Sequence, residues 1–242
     1  MNINELLDRA LFALSVPKCV CCDERLNYGQ KAFCLKCYSE FEDFKDRNCS
    51  RCAKKLNQCS CSNDFLSSHF VKHVIKCSRY IQHNERHPLN SLIYSLKRDN
   101  RNDVLDFASD ELIVALSNSI ENISDCIFTN IPRRRAALIE FGIDHSALLA
   151  QRIAHKCNAQ YLALMRSNAS APQKSLDHAQ RRKNADFSLI SETNLSEKTV
   201  IIVDDIITSG ASMSNAAMLL RGLGTKNIYA ACLAIAYKDS ID

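Results

Sequence analysis

The clearest periodicity in the chain lies between Asp103 and Ile120, where Val104, Leu105, Ala108, Leu112, Ala115 and Leu116 recur at helical spacing and predict an amphipathic helix. Cys126 to Ile131 then reads as a strand, Ser146 to Lys156 as a helix and Gln160 to Met165 as a short apolar run. Thr199 to Val203 is a β-branched run without polar interruption, the mark of a strand buried on both faces. A turn containing Gly210 follows, then a helix from about Ser212 to Arg221, a stop at Gly222 and Gly224 and a last strand from Ile228 to Ile235. Strands alternating with helices predict βαβ units, so the expected class is α/β, a mainly parallel sheet flanked by helices.

Composition narrows the class of molecule. With 46% hydrophobic and 24% charged residues, and only 5 Gly and 4 Pro in 242 residues, the chain is neither disordered nor fibrous. No apolar run approaches the ~18 residues that span a bilayer. The first segment, Met1 to Cys19, has helical spacing but carries Glu5 and Asp8 where an export signal would be positive, so a cytoplasmic location is expected. A net charge of +4 does not by itself demand nucleic acid. The charge is uneven, however: Lys72, Lys76, Arg79, Arg86, Lys97, Arg98 and Arg101 face only Glu85 and Asp99 within one 30-residue stretch. The expected division is a head at 1–64, holding an N-terminal helix and a cysteine-rich segment, and a larger domain at 65–242 that begins with this basic bridge at 72–101.

Nine of the thirteen cysteines lie between Cys19 and Cys61. In a reducing compartment such clusters hold metal more often than disulfides. Cys19-x2-Cys22 and Cys34-x2-Cys37 form two knuckles that can close one tetrahedral Zn2+ shell, and Cys49-x2-Cys52 with Cys59-x-Cys61 repeats the idea with one shortened knuckle. Cys21 is a spare thiol or a substitute ligand. Each set supplies four thiolates, leaving no position open to water, so the metal role is structural. The head is too small for a large core of its own, and metal is expected to supply its folding energy.

The stretch Thr199-Val-Ile-Ile-Val-Asp204-Asp205-Ile-Ile-Thr208-Ser209-Gly210-Ala211-Ser212 ends an apolar strand in two acids and then opens a helix through a small, hydroxyl-rich turn. Backbone N–H groups at such a turn point at an anion, the hydroxyls of Thr208, Ser209 and Ser212 add donors, and Gly210 permits close approach. Two acids would repel a bare phosphate, whereas vicinal ribose hydroxyls suit them as donors, so the ligand suggested is a ribose 5-phosphate. The blander reading makes Thr208 and Ser212 helix caps, which leaves both acids unexplained.

This stretch resembles the phosphoribosyl pyrophosphate (PRPP) motif of type I phosphoribosyltransferases. Together with the cysteine head, Tyr94-x2-Lys97 and Gln173-x8-Arg182-x-Asn184-x2-Phe187, it makes nearly the whole chain resemble the ComF/ComFC competence family, also grouped with GntX-like proteins. The resemblance implies a type I phosphoribosyltransferase fold behind a double zinc ribbon, with Mg2+ accompanying PRPP. It implies that Asp204 and Asp205 bind the ribose hydroxyls as the catalytic acids and that Thr208, Ser209, Gly210, Ala211 and Ser212 hold the 5-phosphate. Arg133 and Arg134, within Ile131-Pro132-Arg133-Arg134-Arg135, stand at its pyrophosphate-side loop; a solvated basic turn is the other reading of that run. The family's Arg-Gly-Phe-Asn-Gln segment is here Phe141-Gly142-Ile143-Asp144-His145. The variable hood corresponds to Arg166 to Phe187, with Lys174, Arg181, Arg182 and Lys183 near the expected site.

The same resemblance implies a role in natural transformation, with incoming single-stranded DNA handled on the cytoplasmic side of the uptake machinery, at the inner face of the membrane through partners. Those partners would be a DNA-uptake channel, a helicase and single-strand-processing proteins. Lys76, Arg79, Lys97, Arg98 and Arg101 are the candidate DNA-binding residues, with Tyr80 or Tyr94 stacking on a base; a solvated helix face explains the same charges. Nucleobase salvage and a non-catalytic PRPP-sensing module are the alternative functions, and nothing in the hood reads as base specificity.

Overall fold

The computed structural model describes residues 15–61, 64–81, 86–168, 187–190 and 193–236, with the side chain of Phe141 left aside. Its centre is a five-stranded sheet built from β1 (Val71–Arg79), β2 (Ile127–Asn130), β3 (Gln160–Tyr161), β6 (Thr199–Ile207) and β7 (Asn227–Ile235) in the order β1-β7-β6-β2-β3. Every neighbouring pair is parallel. β4 (Met165–Ser167) and β5 (Phe187–Leu189) form a separate antiparallel pair.

The period of two in the apolar run of β6 decides which layer each side chain joins. Ile201 and Val203 enter one core, shared with Leu92, Phe107, Leu112 and Leu149, whereas Val200 and Ile202 enter the other, shared with Leu66, Met213, Ala217 and Leu220. The helices Pro88–Arg98, Asn102–Ser117 and His145–Lys156 contribute to the first core, and the helix Ala211–Gly222 to the second. The expected α/β class, a parallel sheet flanked by helices, is the class found.

Four local readings shift. The helix foreseen to Ile120 ends at Ser117, where the amides of Ser119 and Ile120 turn back to the Leu116 carbonyl. The strand foreseen to Val203 runs on to Ile207, so both acids lie within it. The run Gln160 to Met165 splits between the main sheet and the small one. The basic bridge is no mere connection: it holds β1, whose residues 74–78 are all buried, and the helix Pro88–Arg98. That helix starts on Pro88 at its first turn, with His87 Nδ1 accepting from the Leu89 amide at 3.3 Å, and Asn90 Nδ2 donates to the Ile81 carbonyl at 2.6 Å.

The division expected at residue 64 does not separate two cores. Cys19, Leu26, Phe33, Phe41 and Phe44 of the head belong to the same buried cluster as the sheet's first face. Phe33 and Phe41 both pack on Phe107, with ring centroids 5.2 and 5.5 Å away. Lys45, nearly buried on the head's helix Leu35–Lys45, pairs with Glu42 and with Glu111 across the boundary. The second cysteine group keeps a small cluster of its own with Leu56. Among the described residues no helix is long and apolar enough to cross a membrane.

Candidate ligand pocket and metal centres

The chain leaves β2 for β3 on one side of the sheet and leaves β6 for β7 on the other, so the order reverses between β2 and β6. A crevice opens at such a point, outside the carboxyl ends of the strands. There the structure has a pocket of about 290 Å3 lined by Ile131 to Arg134 from behind β2, Asp204, Asp205 and Ser212 from β6 and its loop, and Lys97, His145, Ser167 and Phe187. A smaller hollow of about 40 Å3 continues beneath it, walled by Asp204 and Ile206 to Met213. All of Thr208, Ser209, Gly210, Ala211 and Ser212 line this hollow, at the start of the helix Ala211–Gly222. Gly210 holds φ at +79°, and a Cβ there would lie 3.0 Å from the Leu66 side chain, so both backbone and packing require glycine.

The two acids differ. Burial first, then the like charge of Asp205, push the Asp204 carboxyl well above the usual carboxylate range, against the pull of Lys97. Its Oδ1 accepts the Asp205 amide at 2.9 Å. Asp205 is paired: its Oδ2 lies 3.1 Å from Lys97 Nζ. Lys97, foreseen as a DNA contact, is therefore part of the pocket. The Tyr94-x2-Lys97 spacing marked the residue, but no local pattern encodes its contact with the acid on β6.

On the opposite wall Asp144 fixes the loop behind β2. Its Oδ2 accepts the Arg133 amide at 3.0 Å and Asn130 Nδ2 at 3.4 Å, while its Oδ1 caps the helix His145–Lys156 through the Ala147 amide at 3.1 Å. Asn130 is held in turn by the Tyr161 hydroxyl, which donates to Oδ1 at 2.8 Å. Arg133 Nη1 donates to the Ile143 carbonyl at 2.9 Å and to His145 Nδ1 at 2.8 Å. Burial and the Arg133 guanidinium hold His145 below the usual histidine range, consistent with a neutral ring accepting at Nδ1. The Asp144-His145 pair thus orders the arginine wall. Sequence reading missed Asp144, whose capping role shows only once the helix start is known. Of the hood, Arg166 Nε donates to Ser188 Oγ at 2.9 Å, while Gln173, Lys174, Arg181, Arg182, Lys183 and Asn184 lie outside the described residues.

Both cysteine sets converge. The sulfurs of Cys19, Cys22, Cys34 and Cys37 all lie within 4.8 Å of one another, as do those of Cys49, Cys52, Cys59 and Cys61. Four thiolates at that spacing suit one tetrahedral Zn2+ each, whose Zn–S bonds are about 2.3 Å. Cys21 is the spare thiol, since its Sγ donates to the Arg86 carbonyl at 2.9 Å. At Cys49 burial acts to raise the thiol, but the amides of Arg51 and Cys52 and neighbouring thiols bring it down to about 7.

The other foreseen DNA contacts do not form one surface. Lys76 is 1% exposed and cannot reach a nucleic acid, because residues 74–78 of β1 are covered on both faces and its ammonium turns to the second cysteine group. Arg101 is held by Asp103, at 2.7 Å, and by the Lys18 carbonyl, at 2.7 Å. Arg79 and Tyr80 are half-buried. Arg98 is exposed, stacked 4.8 Å from the centre of the exposed Tyr94 ring.

Residues 139–240 match the phosphoribosyl transferase domain family. The DNA utilization protein YhgH of Escherichia coli O157:H7 is 26% identical over 60% of this chain, and the chain spans 66% of that relative's length, just under two thirds. Competence protein F of Haemophilus influenzae is 24% identical over 87% of this chain and 93% of its own. A solved purine phosphoribosyltransferase from Pyrococcus horikoshii Ot3 aligns over 55% of this chain and 76% of its own at 21% identity, with a TM-score of 0.35, too low to bear on function. The resemblance read from the sequence is borne out: the chain is similar to competence protein F and to the DNA utilization proteins, and its later part matches the phosphoribosyl transferase domain family.

Proposed function

We propose that the pocket binds PRPP with Mg2+ and that the protein is a phosphoribosyltransferase-like competence protein acting on, or binding, single-stranded DNA. One observation carries this reading: Asp204 and Ser212 wall both the hollow suited to a 5-phosphate and the larger pocket beside it, so one ligand can place a phosphate on the loop and its ribose hydroxyls on the acids. Arg133 and Arg134 face the side on which pyrophosphate would leave. Mg2+ bound with PRPP beside Asp204 and Asp205 would offset the charge that develops on pyrophosphate.

The DNA contact narrows to the pocket's rim. Tyr94 and Arg98 stand exposed on the helix that delivers Lys97, an aromatic face beside a cation, as single-strand binding uses. The names of the relatives support a place in DNA uptake. In this reading the protein works in the cytoplasm, at the inner face of the membrane, with a DNA-uptake channel, a helicase and single-strand-processing proteins.

The test is to incubate the protein with PRPP and Mg2+ and with either free bases or single-stranded DNA. Pyrophosphate and a ribosylated strand support the preferred reading, a ribosylated base supports nucleobase salvage, and PRPP binding without pyrophosphate release supports a sensor. Changing Asp204 and Asp205 together to Ala should cut PRPP affinity at least about a hundredfold while phosphate still binds weakly, since each charge-assisted hydrogen bond is worth about 1.5–3 kcal/mol. A folded variant that binds PRPP as tightly as the parent would sink the assignment.

A further inference from the structure

A lysine in the middle of a buried strand needs a reason, because an ammonium withdrawn from water must find acceptors or an opposite charge. Lys76 sits in β1, 1% exposed, and its Nζ donates to the Cys59 carbonyl at 3.0 Å, to the Cys61 carbonyl at 3.3 Å and to Cys59 Sγ at 3.2 Å. Apart from a longer contact to the Val74 carbonyl at 3.5 Å, its hydrogen-bond partners among the described residues belong to the short knuckle of the second cysteine group.

We propose that Lys76 is the counter-charge of the second metal centre, a positioning residue that lets a tetrathiolate be held against the edge of the sheet. Four thiolates around one divalent ion leave a net charge of −2, and the ammonium reduces it to −1. The two carbonyls fix the ammonium beside Cys59, and the same bonds tie the Cys59-x-Cys61 knuckle to β1. The Ser60 carbonyl adds a tie by accepting the Val74 amide at 3.3 Å. Shortening the knuckle to one intervening residue removes a backbone amide that a two-residue knuckle offers to its sulfurs, and Lys76 supplies a donor in its place. The first centre is an internal control, since the main influences on Cys19, Cys34 and Cys37 are burial and bonds to groups of the head itself, with no lysine or arginine among them.

The inference rests on the second group's holding zinc, which the parent's zinc content tests separately: two equivalents per chain satisfy it, and one equivalent overturns the inference together with that reading. With two bound, Lys76→Met, which keeps the length of the side chain and removes the charge and donor, should weaken one of the two zinc ions by about 10- to 100-fold in competition with a chromogenic chelator, the usual effect of losing an outer partner of a metal ligand. The other ion should be released at the parent's rate. Lys76→Arg, which restores charge and donors, should recover part of the loss. Should Lys76→Met unfold the head, cobalt substitution of Lys76→Gln keeps the question open to measurement, because its thiolate-to-cobalt absorption should shift for one of two ions. Two ions released at parental rates from a folded Lys76→Met, or a Lys76→Gln cobalt spectrum identical to the parent's, would overturn the proposal.

Discussion

Lys97 Nζ lies 3.1 Å from Asp205 Oδ2 across the mouth of the pocket, the carboxylate largely buried and the ammonium partly open to solvent. The pair leaves an anion-binding crevice with one acid already neutralised, and it places a cation where a second phosphate group would meet it. Lys97→Met is expected to weaken PRPP binding by about 10- to 100-fold, the worth of one charge-assisted hydrogen bond. Inorganic phosphate, seated in the hollow of Thr208 to Ser212, should change little. Calorimetric titration of both ligands checks this, and a parental PRPP affinity would reduce Lys97 to a lid over Asp205.

Asp204 is costly to the fold. A carboxyl raised above its unfolded value near 3.9 binds its proton more tightly in the native state, so its contribution to stability declines as pH rises from about 4 through the folded value. Asp204→Asn removes both the burial of a charge and its repulsion from Asp205. The variant is expected to gain about 0.5–2 kcal/mol at neutral pH while losing PRPP affinity, the trade found where a strained site serves function. Urea denaturation at pH 7 measures the gain; a variant less stable than the parent would show that the carboxylate serves the fold.

The alternation of strands and helices after Asp103 was legible because each segment buries a face of fixed period, and the loop at Thr208 to Ser212 because hydroxyls, glycine and acids meet there for chemistry rather than packing. β1 was not legible. Its lysines and histidine hid a strand whose charged member, Lys76, is satisfied by cysteines fifteen and seventeen residues upstream. The roles of Lys97 and Asp144 in the pocket were hidden for a related reason: each acts across a tertiary contact, with Asp205 and with the Arg133 amide, that no local spacing encodes. The cysteine knuckles could be read because four ligands of one ion must repeat at short range, whereas the fusion of the head's aromatics with Phe107 could not.

That fusion sharpens what metal loss should do. Cys34 lies 3.6 Å from Cys22 and next to Phe33, which packs on Phe107. Cys34→Ser should remove about one zinc equivalent per chain, loosen residues 19–61 toward protease and lower the melting temperature of the whole protein, since binding and folding are coupled. Elemental analysis with a thermal melt tests both parts. A zinc-depleted variant with the parent's melting temperature would mean that the aromatic contacts alone hold the head.

The head is also held by charge, and this gives it an acid limit. Asp103 takes Arg101 on both oxygens, at 3.1 and 2.7 Å, and accepts the Ala32 amide at 3.2 Å, while Arg101 reaches the Lys18 carbonyl. Burial would raise the carboxyl, but the Arg101 bonds and charge outweigh it and hold Asp103 below the usual carboxylate range. A carboxyl depressed by folding contributes stability that is fully present above its unfolded value, near 3.9, and is lost as pH falls through the lower folded value. Asp103→Asn should therefore cost about 1–3 kcal/mol at pH 7, the range for hydrogen bonds to a charged group, and the gap from the parent should be narrower at pH 3 than at pH 7. Both proteins lose thiolate-bound metal alike on acidification, so the difference between their urea midpoints at the two pH values is the quantity to read. A gap that stays constant with pH would assign the loss to packing around Ala32 rather than to the ion pair.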